Sequence, residues 1–265
     1  MGLLTFTGLA ALLLSLASPS SAADCTREGL LAAAQSYIAA QTSGNTSLLN
    51  LSTTNFTYQE NNKPASISRG VLSQPLKIDL NRSTADTVAC ASYTMLISST
   101  GPKPYVLATQ IRHPPGSNDT STIASIDTIA ATTGSLFFDA AKTLGYIRKE
   151  DWGVILPEES RPSRELLKKY GDAYLDMWTD PKAADSIAWG TVCERVEGSS
   201  LTTPCGKSLP RGGSAKNNGM RRYVIDEVVG SVDVLCSFDS LGSLPDSHEI
   251  RVVDGKVKYV HTVTV

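Results

Sequence analysis

The sequence predicts an α+β protein made of two tandem copies of one unit, each a helix followed by a bent antiparallel sheet. Three observations carry this. Residues 223–265 (YVIDEVVGSVDVLCSFDSLGSLPDSHEIRVVDGKVKYVHTVTV) come close to strict alternation, with β-branched residues throughout, which is the period of a strand. Asp254-Gly255 separates two of these runs, and a two-residue Asp-Gly between alternating runs is the strongest short-range hairpin signal. The first half of the chain then repeats the same order in a worn form, so one unit occurs twice.

Taken in order, Met1 to Ala23 is apolar and Leu-rich and closes on Ser20-Ser21-Ala22-Ala23. That is the pattern of a secretory signal over residues 1–23, although no Lys or Arg precedes the apolar run. The run is short for a membrane span and is broken by Thr7-Gly8 and Ser15. The first unit, 24–134, opens with a helix over Cys25–Gln41, with Leu30, Leu31, Ala34, Tyr37 and Ile38 on one face. Gly44-Asn45 ends it. A short helix over 47–51, extended structure over NFTYQEN and a loop over 61–69 follow. Strands are expected at 76–80, 86–98, 105–113 and 121–133, with turns at Asn81–Thr84, Gly101-Pro102 and Pro114–Gly116.

A bridge over 135–162 holds a helix at 135–147 and the loop EDWGVILPEESRP. The second unit, 163–265, starts where Ser163 caps RELLKKYGDAYLDMW. Leu166, Leu167, Tyr170, Tyr174, Met177 and Trp178 form its apolar stripe, and Asp180-Pro181 stops it. The strands expected after it are 222–229, 232–241, 247–253 and 256–265. Set side by side, TREGLLAAAQSYI parallels SRELLKKYGDAYL and NFTYQEN parallels GTVCERVEG. LKIDLNRSTADTVACASY against YVIDEVVGSVDVLCSF sets Asp79 opposite Asp226 and Cys90 opposite Cys236. QIRHPPGSNDTSTIASIDTIAAT against HEIRVVDGKVKYVHTVTV sets Asp127 opposite His261.

The formal net charge is −2, and Lys168-Lys169 and Arg221-Arg222 are isolated pairs, not a basic stripe. Nucleic acid is therefore not an expected partner. No later stretch is long and apolar enough for a membrane span. Asn45, Asn50, Asn55, Asn81 and Asn118 each open an N-glycosylation triplet, all in the first unit. The five cysteines fit an oxidising compartment. Cys193 and Cys205 bracket a Gly/Pro/Ser loop and should pair, with about 3 kcal/mol from loop closure. Cys25 should reach Cys90, leaving Cys236 as a buried inert thiol.

A helix wrapped by a bent sheet is the order of the cystatin-like α+β roll, and the chain resembles the NTF2-like (SnoaL-like, ketosteroid-isomerase-like) superfamily. More closely it is similar to fungal secreted proteins built as tandem NTF2-like units, a family of unassigned function. The residues carrying the likeness are AYLDMW, WGTVCERVEG with Cys205 downstream, RRYVIDEVVGSVDV, and PDSHEIRVVDGKVKYVHTVTV. The resemblance implies a pocket at the mouth of each roll. It also implies cofactor-free proton transfer by an Asp or an Asp/His pair, in a setting such as fungal secondary metabolism. The substrate class would be a small apolar, polyketide-like or terpenoid-like molecule. The first unit would be a structural pseudo-dimer partner, with further oligomerisation left open.

The expected site lies in the last strands. Asp226 sits mid-strand among Tyr223, Val224, Ile225 and Val228, either as a general acid/base or in a salt bridge to Arg221, Arg222 or Arg251. Alternation puts it on the face of Arg222. His248 alternates with Ile250 and Val252, and His261 follows Val257 and Tyr259, so both are expected inward. Asp226 and His248 are the expected acid/base pair with His261 assisting, and Tyr259, Arg222, Glu249 and Trp189 are expected pocket contacts. No metal is expected, because the chain has no close-spaced His/Cys signature. A hydrolase using Ser247 beside His248 lacks a G-x-S-x-G elbow. Gly212-Gly213-Ser214 has no helix behind it and reads as a loop. Isomerisation, cyclisation or dehydration is one functional reading; non-catalytic extracellular binding of an apolar ligand is the other.

Overall fold

The computed structural model describes residues 1–2, 25–116 and 118–265, so the expected signal segment lies, beyond its first two residues, outside the described residues. Helix α1 (Arg27–Ser43) starts because the Thr26 hydroxyl accepts from the Gly29 N–H, 3.1 Å. It stops at Gly44, whose left-handed φ of 67° lets its N–H return to Ala40 O. The expected helix at 47–51 is a single 3-10 turn at Thr46–Leu48. Strands β1 (Thr57–Glu60), β2 (Lys63–Pro64), β3 (Leu80–Asp86), β4 (Ala91–Ser98), β5 (Tyr105–Arg112) and β6 (Ser125–Thr132) complete the first unit. Helix α2 (Ala140–Ile147) bridges to α3 (Arg164–Asp176). Strands β7 (Trp189–Glu197), β8 (Ser200–Thr202), β9 (Gly219–Asp226), β10 (Ser231–Phe238), β11 (Leu244–Val253) and β12 (Lys256–Thr264) follow.

The strands form two six-stranded sheets of the same topology, β2-β1-β6-β5-β4-β3 and β8-β7-β12-β11-β10-β9. Each is mixed: β1 runs parallel to β6 and β7 parallel to β12, and the remaining pairs are antiparallel. The protein is thus two similar α+β units in tandem, each with a helix on a six-stranded sheet. The parallel closing pair is absent from the sequence reading, since alternation carries no strand direction.

One face of each sheet packs on its own helix. Tyr37 and Ile38 of α1 meet Leu96, Leu107 and Ile126; Leu167, Tyr170 and Tyr174 of α3 meet Val232, Val234 and Ile250. The opposite faces pack on each other, with Tyr93, Met95, Val106 and Ile129 against Val196, Val224, Leu235 and Val263, and α2 adding Leu144 and Ile147. Each fully buried aliphatic side chain contributes about 1.5–3 kcal/mol, so this seam is a core and not a loose domain contact. Both faces of the central strands β4, β5, β10, β11 and β12 are therefore buried.

At the seam, two arginines cross over. Arg27, the first residue of α1, places Nη1 2.6 Å from Asp226 Oδ2 in the other unit. Arg164, the first residue of α3, forks onto Asp86 with Nη1–Oδ1 2.7 Å and Nη2–Oδ2 2.8 Å. The same carboxylates accept across the seam from backbone: Ala85 N donates to Asp226 (2.8 Å) and Ile225 N to Asp86 (2.9 Å). This is the reciprocal pattern of a two-fold interface, made within one chain.

The reciprocity also corrects the repeat alignment. Asp86 pairs with Ala91 as Asp226 pairs with Ser231, so Asp86, not Asp79, is the counterpart of Asp226. Cys90 then corresponds to Gly230 and Leu96 to Cys236, whereas Asp127 does face His261 in the alignment. The first turn lies at 87–90, not at the expected 81–84, which are inside β3. Asp86 Oδ1 accepts from Ala89 N, 2.8 Å, closing the turn one strand length later. Cys90 holds the left-handed position there (φ 48°) that Gly230 (φ 68°) holds in the second unit. Cys90 is bonded to Cys25, and Cys193 to Cys205. The bridging helix begins only at Ala140, since Asp139 caps it at Lys142 N and Phe137 is left-handed at φ 51°.

Asp86 and Asp226 have side chains 0% and 1% exposed, so removing either arginine strands a buried carboxylate. Arg164→Ala and Arg27→Ala should each cost about 3 kcal/mol of unfolding free energy, the low end for a broken buried pair because some backbone donors remain. Urea unfolding measures this, and losses under about 1 kcal/mol would mean the crossed pairs do not hold the seam.

Candidate functional site

On β11, Asp246, His248, Ile250 and Val252 face α3, and the register sets out two rows beneath the helix. Cys236, Asp246 and Thr264 lie side by side across β10, β11 and β12; Val234, His248 and Thr262 form the next row. Thr264 Oγ1 donates to Asp246 Oδ1 (2.8 Å), as does Ser247 N (3.0 Å). Asp246 Oδ2 is 2.6 Å from His248 Nε2, close enough for an ion pair but outside hydrogen-bond geometry. Among the described residues, neither ring nitrogen of His248 nor Asp246 Oδ2 has a hydrogen-bond partner. Tyr174 and Phe238 flank the imidazole with ring centroids 5.1 and 6.0 Å away.

His248 opens into a pocket of about 150 Å³ whose polar lining includes Arg195, Glu197, Thr262 and Thr264 and whose apolar lining includes Trp178, Phe238 and Leu241. Leu136 and Phe137 from the bridge close one side, pinned where Ser199 N donates to Phe137 O (2.8 Å). Glu197 accepts from Tyr174 Oη, 2.7 Å, and lies 3.6 Å from Arg195 Nη1. Burial, reinforced by Glu197, holds the Tyr174 hydroxyl well above its ordinary pKa, so it serves as a donor. The Cys193–Cys205 bond anchors the strand that carries Arg195 and Glu197. A wider groove of about 540 Å³ runs along the outer face of α3. Its Asp172 and Asp176 are already paired with Lys168 and Arg221, so it offers no convergent chemistry.

The other expected catalytic residues lie elsewhere. Asp226 is on the seam face with Arg27, and its second oxygen accepts from Val228 N and Val229 N. It does not meet His248, so the expected acid/base pair is not formed. Arg222 is on the same face, with Nε 2.6 Å from Asp127 of the first unit. Ser247 donates to Asp233 on that face too, so it and His248 point to opposite sides of one strand and form no nucleophile–base pair. Trp189 donates to Ala184 O and packs into the core of the second unit, outside the pocket lining.

His261, Glu249 and Tyr259 do come together, but on the seam face. His261 Nδ1 is 3.1 Å from Glu249 Oε2, and Nε2 is 2.8 Å from Glu150 Oε1 of the bridge. Arg82 adds a 2.6 Å contact to Glu150, and Trp152 stacks on His261 and Tyr259 at 4.8 and 5.8 Å. Both carboxylates have side chains 0% exposed. This cluster pins the bridge to β12 and is sealed from solvent. Burial alone would lower the His261 pKa, but the two glutamates outweigh it and raise it to about 9. Burial alone would raise Glu150, yet His261 and Arg82 hold it below its ordinary value.

Cys236, Asp246, Glu197 and Arg195 are the residues that sequence reasoning missed. Asp246 lies just before the strand expected at 247–253, and Cys236 is expected as a buried inert thiol. Their join with His248 follows from cross-strand register, which no local pattern reports. In the first unit the corresponding positions are Leu96, Leu107 and Thr109, and Thr109 is engaged by Tyr37 at 2.8 Å. Tyr37, Glu60 and Thr128, counterparts of Tyr174, Glu197 and Thr262, are kept. The five asparagines expected to carry glycans are all solvent-exposed.

Residues 160–264, the second unit, match a family model described as a domain of unknown function (DUF8021). No curated protein and no solved structure matches the chain.

The His261 shift has a definite sign. A histidine whose folded pKa is raised from 6.5 to about 9 adds stability that is present in full below 6.5 and lost as pH rises through about 9. The urea midpoint should therefore fall across that interval. His261→Gln should remove this part of the slope, and an unchanged slope would dismiss the cluster as the bridge's anchor.

Proposed function

We propose that the second unit holds a small-molecule site that works by acid/base proton transfer, with isomerisation, cyclisation or dehydration as the reaction class. The observation carrying this is that His248 is the histidine that opens into a pocket, backed by Asp246 and facing a wall that holds Glu197. A histidine beside a carboxylate can accept and return a proton, and a second carboxylate on the wall supplies the opposite step. Thr262, Thr264 and Arg195 would orient the polar end of a substrate, and Trp178, Phe238 and Leu241 its apolar body. The resemblance to the NTF2-like superfamily supports the same chemistry. The two disulfides support a secretory-pathway address, and among the described residues no helix is long and apolar enough to cross a membrane.

A volume of about 150 Å³ takes a single ring, since a cavity of about that size holds benzene. A polyketide- or terpenoid-like substrate would place one ring or chain end inside, with its remainder on Phe137 and Leu241, which are 65% and 42% exposed at the rim. The same small volume, below the usual range of about 300–1,000 Å³ for ligand sites, favours a second reading, a binding module without turnover.

Exchange of α-hydrogens of cyclopentanone and cyclohexenone in D2O, followed by NMR, separates the two. The expected result is exchange that falls by about 10²–10⁴-fold in His248→Gln, with the unfolding midpoint of the variant retained. Equal rates in the two proteins would overturn proton transfer and leave the binding module.

A further inference from the structure

We propose that Cys236, Asp246 and His248 form a binding site for one thiophilic divalent cation, zinc(II) being the best match to the donors. Their ligating atoms all lie within 4.8 Å of one another, and the three residues are 0%, 0% and 2% exposed. The backbone builds this arrangement: Cys236 and Asp246 are cross-strand partners, and His248 follows two residues along on the same face. The inference rests on this geometry and not on the proton-transfer reading.

The second observation is that these buried polar atoms make no aligned hydrogen bond. Among the described residues, both His248 nitrogens and Asp246 Oδ2 lack hydrogen-bond partners, although buried polar groups are almost always satisfied. A proton does not satisfy them here, since Nε2 and Oδ2 approach to 2.6 Å without alignment. A cation at about 2.0–2.1 Å from nitrogen and oxygen and about 2.3 Å from sulfur would engage one imidazole nitrogen, Asp246 Oδ2 and the Cys236 sulfur, once the imidazole and carboxylate part by a fraction of an ångström. Asp246 is already oriented for it: Thr264 Oγ1 and Ser247 N hold Oδ1 and leave Oδ2 for the metal, the usual outer support of a ligand carboxylate.

The donors also select the ion. A thiolate, an imidazole and a single carboxylate oxygen suit zinc and its soft neighbours, not magnesium or calcium. Of the three ligands His248 also lines the pocket, and three protein ligands leave the fourth tetrahedral position to a non-protein donor. Burial, with Asp246 nearby, keeps the Cys236 thiol protonated while the site is empty, so loading releases that proton to solvent as the thiolate forms. The first unit has leucine, leucine and threonine at these positions, so one ion per chain is expected. A metal on His248 removes the lone pair used in proton transfer, so the loaded form would be the inactive form of the proposed enzyme.

The test uses the chelator-stripped full chain, titrated with zinc(II) by calorimetry and with cobalt(II) by absorption. We expect one zinc per chain and a sulfur-to-cobalt charge-transfer band in the near ultraviolet. Cys236→Ser should abolish the band, and Thr264→Val should keep it while weakening zinc binding by about 10–100-fold. The unfolding midpoint establishes that each variant is folded. No stoichiometric zinc binding by the wild type, or binding undiminished in both Cys236→Ser and His248→Ala, overturns the site. Loss of the metal site with His248-dependent exchange intact would leave the proton-transfer reading standing. Zinc binding without such exchange would do the reverse.

Discussion

The crossed arginine–aspartate pairs are the constraint on which the rest of the molecule depends. Arg27 and Arg164 each open a helix in one unit and neutralise a buried carboxylate at the end of a strand in the other. Each aspartate also caps the turn of its own strand pair and accepts a backbone N–H from across the seam. One side chain therefore ties a turn, a helix start and a sheet contact together. Since the desolvation of a carboxylate is large, neither unit could bury this face without the other. The two halves form one body held by a core and by reciprocal ion pairs, in the manner of a two-fold dimer joined by a linker.

That arrangement divides the labour between the two faces of the second sheet. The seam face carries Asp226, Arg222, Asp233, Glu249 and His261, all consumed in holding units and bridge together. The helix face carries Asp246, His248, Arg195 and Glu197 around a small pocket. The bridge serves both: Glu150 and Trp152 lock onto His261, while Leu136 and Phe137 wall the pocket. Any motion of the bridge would thus be felt at the pocket mouth. The first unit keeps the Tyr37 and Glu60 counterparts but has Leu96, Leu107 and Thr109 where the second has Cys236, Asp246 and His248.

Much of this architecture was legible in the chain. The helices at α1 and α3 follow from their apolar stripes, α3 also from its Ser163 cap, the Asp254-Gly255 hairpin from its turn residues, and both disulfides from loop length and position. The duplication was legible too, with an error of register in β3, because Asp86 and Cys90 make a turn by tertiary contacts that no glycine announces.

What the sequence by itself determined is the alternation along each strand: which residues share a side with His248 and which with His261. Only the tertiary structure decided which side is which. The usual guide, one apolar face and one polar, fails when a sheet is buried on both faces, as this one is between α3 and the first unit. The strand neighbours of His248 and of His261 are then equally apolar, and they cannot distinguish a pocket wall from a seam. Cross-strand register makes the distinction, because it places Cys236, Asp246 and Thr264 in one row and gives Asp226 to an arginine nearly two hundred residues away, 199 positions along the chain.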